Sequence, residues 1–339
     1  MKILFYAPVF HPSVGGLESV AGMLAEALAE SDCTVKVVTH TPGGADEQDF
    51  PYEVIRKPAP AMLLGLVRWC DIFFQHNISL KGLWPLGIFR RRFVVLHHGL
   101  YARRDGKAGL LAQLKKLVAH FAENIAVSDF VASELGVTCK VIKNPYRNEI
   151  FTLMAEIKRD HELVFLGRLV SEKGGGLLID ALSLLKLRGI TPLLTIIGTG
   201  PEEQAMRHQV ALHSLGEQIR FVGAKSAIEL PEVLNRHKIL VVPSLVREGF
   251  GVVALEGIAC GCAVIAANAG GLPEAVGPCG LLFPPGNAEA LADKIQFLLG
   301  DPASLAAMRR NAAAHLHTHT VSYVAGCYRD ALKSTAGAT

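Results

Sequence analysis

Seven residues separate Glu248 from Glu256 in the run Ser244-Leu-Val-Arg-Glu-Gly-Phe-Gly-Val-Val-Ala-Leu-Glu256. The pattern predicts a strand ending at Ser244, a glycine-bearing loop, and a helix beginning near Gly251. Backbone N–H groups of Phe250, Gly251 and Val252 would point out of that helix start, where an anionic diphosphate is favoured. Glycines at 249 and 251 allow a close approach of the chain to a ligand. A carboxylate beside a diphosphate is repelled, so Glu248 and Glu256 make chemical sense as acceptors of hydrogen bonds from hydroxyls. Sugar and ribose hydroxyls are the obvious donors. The plainer alternative is a surface Glu followed by a helix Glu favoured by the dipole.

A second segment, Val164-Phe-Leu-Gly-Arg-Leu-Val-Ser-Glu-Lys-Gly-Gly-Gly176, sets Arg168 and Lys173 on either side of a turn that follows a strand. Two cations at a strand's carboxyl end could neutralise a leaving diphosphate without a metal, or could be solvated surface charges. A third, Pro12-Ser-Val-Gly-Gly-Leu-Glu18, puts Gly15 and Gly16 in a loop able to close over phosphate or sugar. Gly198-Thr-Gly200 is not followed by the third glycine of a dinucleotide fingerprint, because Glu203 stands there. That argues against a nicotinamide cofactor.

The elements that must carry these residues alternate strand and helix twice over. Lys2–Ala7, a helix over Leu17–Glu30, and Thr34–Thr39 form an opening βαβ unit. Asp71–Gln75, Arg92–His97, Asn124–Val127 and Lys140–Lys143 read as further strands. After a polar stretch the alternation restarts with a strand at Glu162–Leu166 and a helix at Gly176–Arg188. It continues through strands at Pro192–Ile197, Gln218–Val222, Lys238–Pro243 and Cys262–Ala266, with helices at Glu202–Ser214, Glu229–Arg236, Val252–Ala259 and Ala288–Leu299. The expected organisation is an α/β chain of two facing Rossmann-like domains with a cleft between them. Residues 1–151 form one domain, 152–161 a linker, 162–320 the nucleotide-sugar side, and 321–339 a helix crossing back.

Bulk properties agree with that reading. The chain has 339 residues, half of them hydrophobic and 19% charged, enough for two cores and too apolar for a disordered protein. Its longest apolar runs, such as Ile3–Val9, are strand-sized rather than membrane-spanning. The N-terminus lacks the length and cleavage site of a signal peptide. Seven scattered cysteines without a C-x-x-C motif read as free thiols in a reducing compartment. No structural metal and no cofactor are expected, and the location implied is cytoplasmic.

Together these segments resemble the retaining glycosyltransferases of the GT-B fold, glycosyltransferase family 4. That group includes sucrose synthases, bacterial mannosyltransferases and lipopolysaccharide-core transferases. The resemblance rests on the Glu248/Glu256 pair, the Gly167–Gly174 segment, the Gly-Gly loop, and Gly257–Val276. It implies that Arg168 and Lys173 hold the diphosphate, Glu248 the transferred sugar, and Glu256 the ribose, with Gly15 and Gly16 against donor sugar or phosphate. The family carries a histidine after a first-domain strand; in Val94-Val-Leu-His-His-Gly99, His98 matches better and His97 reads as a core neighbour. No D-x-D metal signature lies where a metal-dependent enzyme would need one. The implied reaction is retaining transfer from a UDP- or GDP-linked sugar to a glycan, glycolipid or other hydroxyl, as in envelope polysaccharide or lipopolysaccharide synthesis. Front-face departure of the diphosphate is favoured. Two positions depart from the pattern, since Arg147 and Thr199 stand where acidic residues are common. A nucleotide-sugar epimerase or hydrolase on the same scaffold is the alternative, with Glu18 or His98 as its base.

Charge distribution points to partners. Between Arg56 and Ala119 twelve Lys or Arg face only Asp71 and Asp105, giving this stretch +10 in a chain of net +3. Gly87–Phe93 and Ala108–His120, where leucines alternate with Lys115 and Lys116, resemble a cationic amphipathic surface for an anionic membrane or glycolipid. A solvated face or a groove for a phosphorylated soluble acceptor are the alternatives. Stacking aromatics on a groove motif are not evident, so nucleic acid is not expected.

Overall fold

The computed structural model describes residues 1–13, 15–44, 49–101 and 109–333. Contacts divide the chain into two compact units, Met1–Pro145 with the segment from Val321, and Tyr146–Thr320. The strands of the first are β1 (Lys2–Tyr6), β2 (Thr34–Thr39), β3 (Glu53–Arg56), β4 (Ile72–His76), β5 (Arg92–His97), β6 (Glu123–Ala126) and β7 (Cys139–Val141). They form one sheet in the order β3-β2-β1-β4-β5-β6-β7, and every pairing is parallel. Its helices are α1 (Gly16–Ala29), α2 (Pro60–Trp69), α3 (Leu110–Ala119) and α4 (Asp129–Leu135).

The second unit holds β8 (His161–Leu166), β9 (Leu194–Ile197), β10 (Ile219–Phe221), β11 (His237–Val242), β12 (Ala263–Ala267) and β13 (Gly280–Phe283), ordered β10-β9-β8-β11-β12-β13 and again parallel. Its helices are α5 (Gly175–Leu187), α6 (Glu203–Leu212), α7 (Leu230–Asn235), α8 (Val252–Ala259), α9 (Leu272–Val276), α10 (Ala288–Gly300) and α11 (Pro302–His317). The last helix, α12 (Val321–Lys333), belongs to the first unit, where Tyr328 is buried against Phe74 and Arg92 donates to the carbonyls of Ala331 and Leu332.

Central strands are buried along their length, as both-face coverage by helices requires: Ile3, Leu4 and Phe5 in β1, and Ile239, Leu240 and Val241 in β11, are all at most 1% exposed. Each sheet has one place where the strand order reverses, between β1 and β4 in the first and between β8 and β11 in the second. Loops leaving the carboxyl ends of strands diverge there and open a crevice for ligand.

The segment read as a linker is hydrogen-bonded into the second unit. Asn235 donates to the Thr152 carbonyl at 2.9 Å and accepts from the Met154 amide at 2.9 Å, while Arg159 donates to the carbonyls of His237 and Cys260.

Candidate active site

The Ser171–Lys173 turn follows β8, and the Ser244–Gly251 loop follows β11, so both leave adjacent strands at the switch point of the second sheet. The main chain joins them, with the Leu245 amide donating to the Glu172 carbonyl at 2.8 Å. Gly174 makes the approach possible: at φ +72°, a Cβ there would stand 1.9 Å from the Pro243 carbonyl oxygen. The side chains then meet, Lys173 Nζ donating to Glu248 Oε1 at 2.8 Å while Ser244 Oγ donates to the same oxygen. The Glu248 side chain is 14% exposed and that of Lys173 is 30% exposed, so the pair reaches solvent from a largely enclosed place. Arg168 is exposed and has no side-chain partner among the described residues.

Glu248 is also held through its backbone. It bridges to Gly270, and its carbonyl accepts from the Gly271 amide at 2.8 Å. Sequence reasoning missed Ser244, Gly270 and Gly271 as supports, since nothing in local spacing says that residues 244, 248 and 270 converge.

Gly251 (φ +106°) caps α8, and Val252 opens it. The first amides of a helix lack intrahelical partners, so this end offers N–H groups. Phe250 has only its main chain to offer a ligand: its ring is 3% exposed and packs on His319, centroids 5.4 Å apart. Glu256 lies inside α8 and is half-buried. Desolvation pushes its carboxyl up to about 7, with the Arg147 guanidinium pulling the other way. The departure at Arg147 is therefore electrically relevant to Glu256.

In the first unit, Gly15 precedes α1, and the place its Cβ would take is occupied by the Glu18 carboxylate at 2.3 Å. That loop is filled by its own acid at Gly15, whereas a Cβ on Gly16 would meet nothing within 4 Å. His98 follows β5 and its main-chain N–H donates to Asn77 Oδ1 at 2.9 Å. Its ring is buried against His76, centroids 3.9 Å apart, and both its nitrogens lack a partner among the described residues. Burial, with His76 and His97 nearby, holds His98 well below the ordinary imidazole value; burial alone lowers His76 to about 3. His97 turns the other way into the core, bonded to Tyr101 Oη at 2.8 Å and Asn124 Oδ1 at 2.9 Å. His76, the last residue of β4, was not singled out from sequence.

The basic stretch is less uniform than its charge suggests. Arg103, Arg104, Asp105 and Lys107 lie outside the described residues. Arg91 donates to the Val67 and Arg68 carbonyls, Arg92 grips Glu123 with two bonds of 2.6 Å, and Arg56 donates to the His11 and Thr41 carbonyls. These three are structural. What α3 presents outward is apolar: Leu110, Leu111, Leu117 and the following Phe121 are 56–78% exposed, and Leu114 is 40% exposed. Among the described residues no helix is long and apolar enough to cross a membrane, and no cluster of three or more His, Cys, Asp or Glu is placed to hold a metal.

A family model described as glycosyl transferases group 1 matches residues 148–315, and one described as glycosyltransferase family 4 matches 14–145. The chain belongs to this glycosyltransferase family. Glycogen synthase of Mycobacterium tuberculosis (strain ATCC 25618 / H37Rv) is 39% identical to it over 155 residues, covering 45% of this chain and 37% of that protein. D-inositol 3-phosphate glycosyltransferase of Pseudarthrobacter chlorophenolicus is 32% identical over 226 residues, covering 62% and 51%. The glycosyltransferase chain thus aligns with roughly half or less of the length of these relatives. Anabaena HepE, crystallised with UDP, superposes with a TM-score of 0.83 at 23% identity, covering 98% of this chain and 100% of that one. The fold is GT-B.

Proposed function

We propose that the protein transfers a glycosyl group, with retention and without a metal, from a nucleoside-diphosphate sugar to a hydroxyl acceptor. The observation that carries the reading is the Lys173–Glu248–Ser244 cluster at the β8/β11 switch point, with Arg168 in the same loop after β8. The bond from the anomeric carbon to the diphosphate oxygen breaks, and the acceptor oxygen bonds to that carbon on the same face. The acceptor proton passes to the departing diphosphate. Arg168, Lys173 and the α8 amides stabilise the charge that develops on that leaving group. Glu248 accepts from the sugar's hydroxyls and Glu256 from the ribose. By the family resemblance His98, in the first unit, is the catalytic histidine, and Gly15 and Gly16 contact the donor sugar or phosphate. UDP bound to HepE supports a nucleotide-sugar donor, and the relative named D-inositol 3-phosphate glycosyltransferase supports glycosyl transfer.

The acceptor class proposed is a glycan or glycolipid of the cell envelope, approached from the cytoplasmic face of the membrane, and the support is the outward apolar face of α3. The test is incubation with UDP- and GDP-sugars and candidate acceptors, with and without EDTA, reading the product's anomeric configuration by NMR. An inverted product would refute retention, and loss of transfer in EDTA would refute metal independence. Conversion of donor without any acceptor would instead favour the epimerase or hydrolase.

A further inference from the structure

A cavity with cations in its lining lies in the Tyr146–Thr320 unit, at the ends of β8 and β11 opposite the switch-point cluster. Arg159 stands just before β8, and Lys238 is the second residue of β11. With Leu299 at the end of α10 and Pro302, Leu305 and Arg309 of α11, they line a cavity of about 210 Å³. Three of its six lining residues are cations, and none is an acid. It shares no residue with the switch-point cluster.

The cations differ in how they are satisfied. Arg159 is spent on the protein, donating to the carbonyls of Leu234, His237 and Cys260 and to Asn235 Oδ1. Gly261 lets it come so near, since a Cβ there would stand 2.6 Å from Arg159 Nη2. Lys238 has one long ion pair, 3.5 Å to Glu162 Oε1. Arg309 donates through Nε to the Gly261 carbonyl at 2.9 Å, while its Nη2 is buried with no partner among the described residues.

A buried donor on a charged group costs free energy unless something accepts from it. Two guanidinium groups also repel one another, and Arg309 is held below its ordinary value by burial and by Arg159. A single negatively charged acceptor relieves both costs, because oxyanions accept several charge-assisted bonds at once. The volume admits one tetrahedral ion against the apolar floor of Leu299, Pro302 and Leu305.

We propose that this cavity is a binding site for a small oxyanion of the phosphate class, separate from the site of transfer. Occupancy ties the start of β8 and β11 to the start of α11. The inference does not rest on the transferase reading, since none of its residues is used there.

The test is thermal unfolding in inorganic phosphate against chloride at matched ionic strength, for wild type, Arg309→Met, Lys238→Met and Lys173→Ala. The expected result is a rise of a few degrees in wild type and in Lys173→Ala, abolished in Arg309→Met and reduced in Lys238→Met. Lys238→Met, at a residue with one long ion pair, remains informative if Arg309→Met does not fold. Glucose 6-phosphate in place of phosphate separates sources: a larger shift assigns the site to phosphomonoesters, and no shift assigns it to the free ion. Loss of the effect in Lys173→Ala alone would place phosphate in the switch-point cluster and overturn the proposal. So would an equal shift in all four proteins, or no shift in wild type.

Discussion

Lys173 Nζ lies 2.8 Å from Glu248 Oε1, although the two stand 75 positions apart along the chain. The two groups were suggested by different chemistry, one to neutralise a phosphate and the other to accept from hydroxyls. Their pairing joins the tasks: the ammonium is already oriented before donor arrives, and the carboxylate keeps one oxygen tied to Lys173 and Ser244. Removing either partner therefore disturbs both.

Lys173→Ala is expected to lower kcat by a factor of about 10²–10³, the scale of losing one preorganised donor. Glu248→Gln keeps the shape and is expected to impair transfer while nucleotide affinity changes by less than about threefold, well under 1.4 kcal/mol. Steady-state kinetics with calorimetric titration of the nucleoside diphosphate check both. Wild-type turnover in Lys173→Ala would remove it from the reaction.

Gly270→Ala tests the backbone support behind Glu248. Gly270 sits at φ +63°, and a Cβ there would fall 2.1 Å from the Glu248 carbonyl oxygen, an atom that cannot swing aside as a side chain can. A cost of about 1–3 kcal/mol is expected from the strain, with more from the clash. Chemical denaturation should show the lost stability, and transfer should fall further than stability does, because the displaced residue is Glu248 itself.

The division between what sequence showed and what it did not follows the range of the interactions. Strands β1, β5, β8 and β11 are legible because both-face burial leaves uninterrupted apolar runs. Edge strand β3 (Glu53–Arg56) is not, since polar residues at both ends of so short a segment erase the pattern, and Arg56 is there for its bonds to His11 and Thr41. Helix α11 is not legible either, since its alanine-rich sequence buries few of its residues, among them Leu305 and Leu316. In the candidate site, type and spacing single out Arg168, Lys173, Glu248 and Glu256, and the fold brings Lys173 and Glu248 together. They do not single out Ser244, Gly270 or His76, whose partners Glu248 and His98 are brought to them by the fold.

Glu256 makes stability depend on pH. Its folded value, about 7, exceeds the ordinary carboxyl value of 4.5, so between those limits the folded state binds more protons and stability falls as pH rises. Glu256→Gln is expected to raise the melting temperature by a few degrees at pH 8 and hardly at all at pH 4.5. Arg147→Ala, which removes the opposing charge, should steepen the wild-type loss. Melting curves across that range decide it, and a pH-independent Glu256→Gln effect would contradict the desolvated carboxyl.

The histidine pair gives the opposite slope. His76 and His98 are held below the ordinary value of 6.5, so the unfolded chain takes up protons first as pH drops. Their contribution is complete above about 6.5 and is lost progressively toward the value of about 3 held by His76. His76→Phe, which keeps an aromatic ring beside Phe5 and His98, should flatten the acid limb of a stability–pH curve between 6.5 and 4. An unchanged limb would mean other groups set it.

Helix α3 buries only Ala112 and Ala119 of its ten residues, while its leucines face outward. An apolar stripe of that kind is uncommon on a soluble monomer and marks a surface for a partner. Lys115, set over the Tyr101 ring, and Lys116 flank it, so an anionic bilayer suits both its apolar and its charged parts. Co-sedimentation with phosphatidylglycerol vesicles is expected at low salt and should weaken as salt rises, because each basic side chain adds only about 1 kcal/mol and is screened. The double change Leu111→Ser with Leu117→Ser removes two leucines that are 68% and 56% exposed, so the fold should tolerate it while vesicle binding falls at least tenfold. Binding that survives the double change but disappears in high salt would assign the contact to the basic side chains alone. No binding at any salt would leave the stripe to a protein partner.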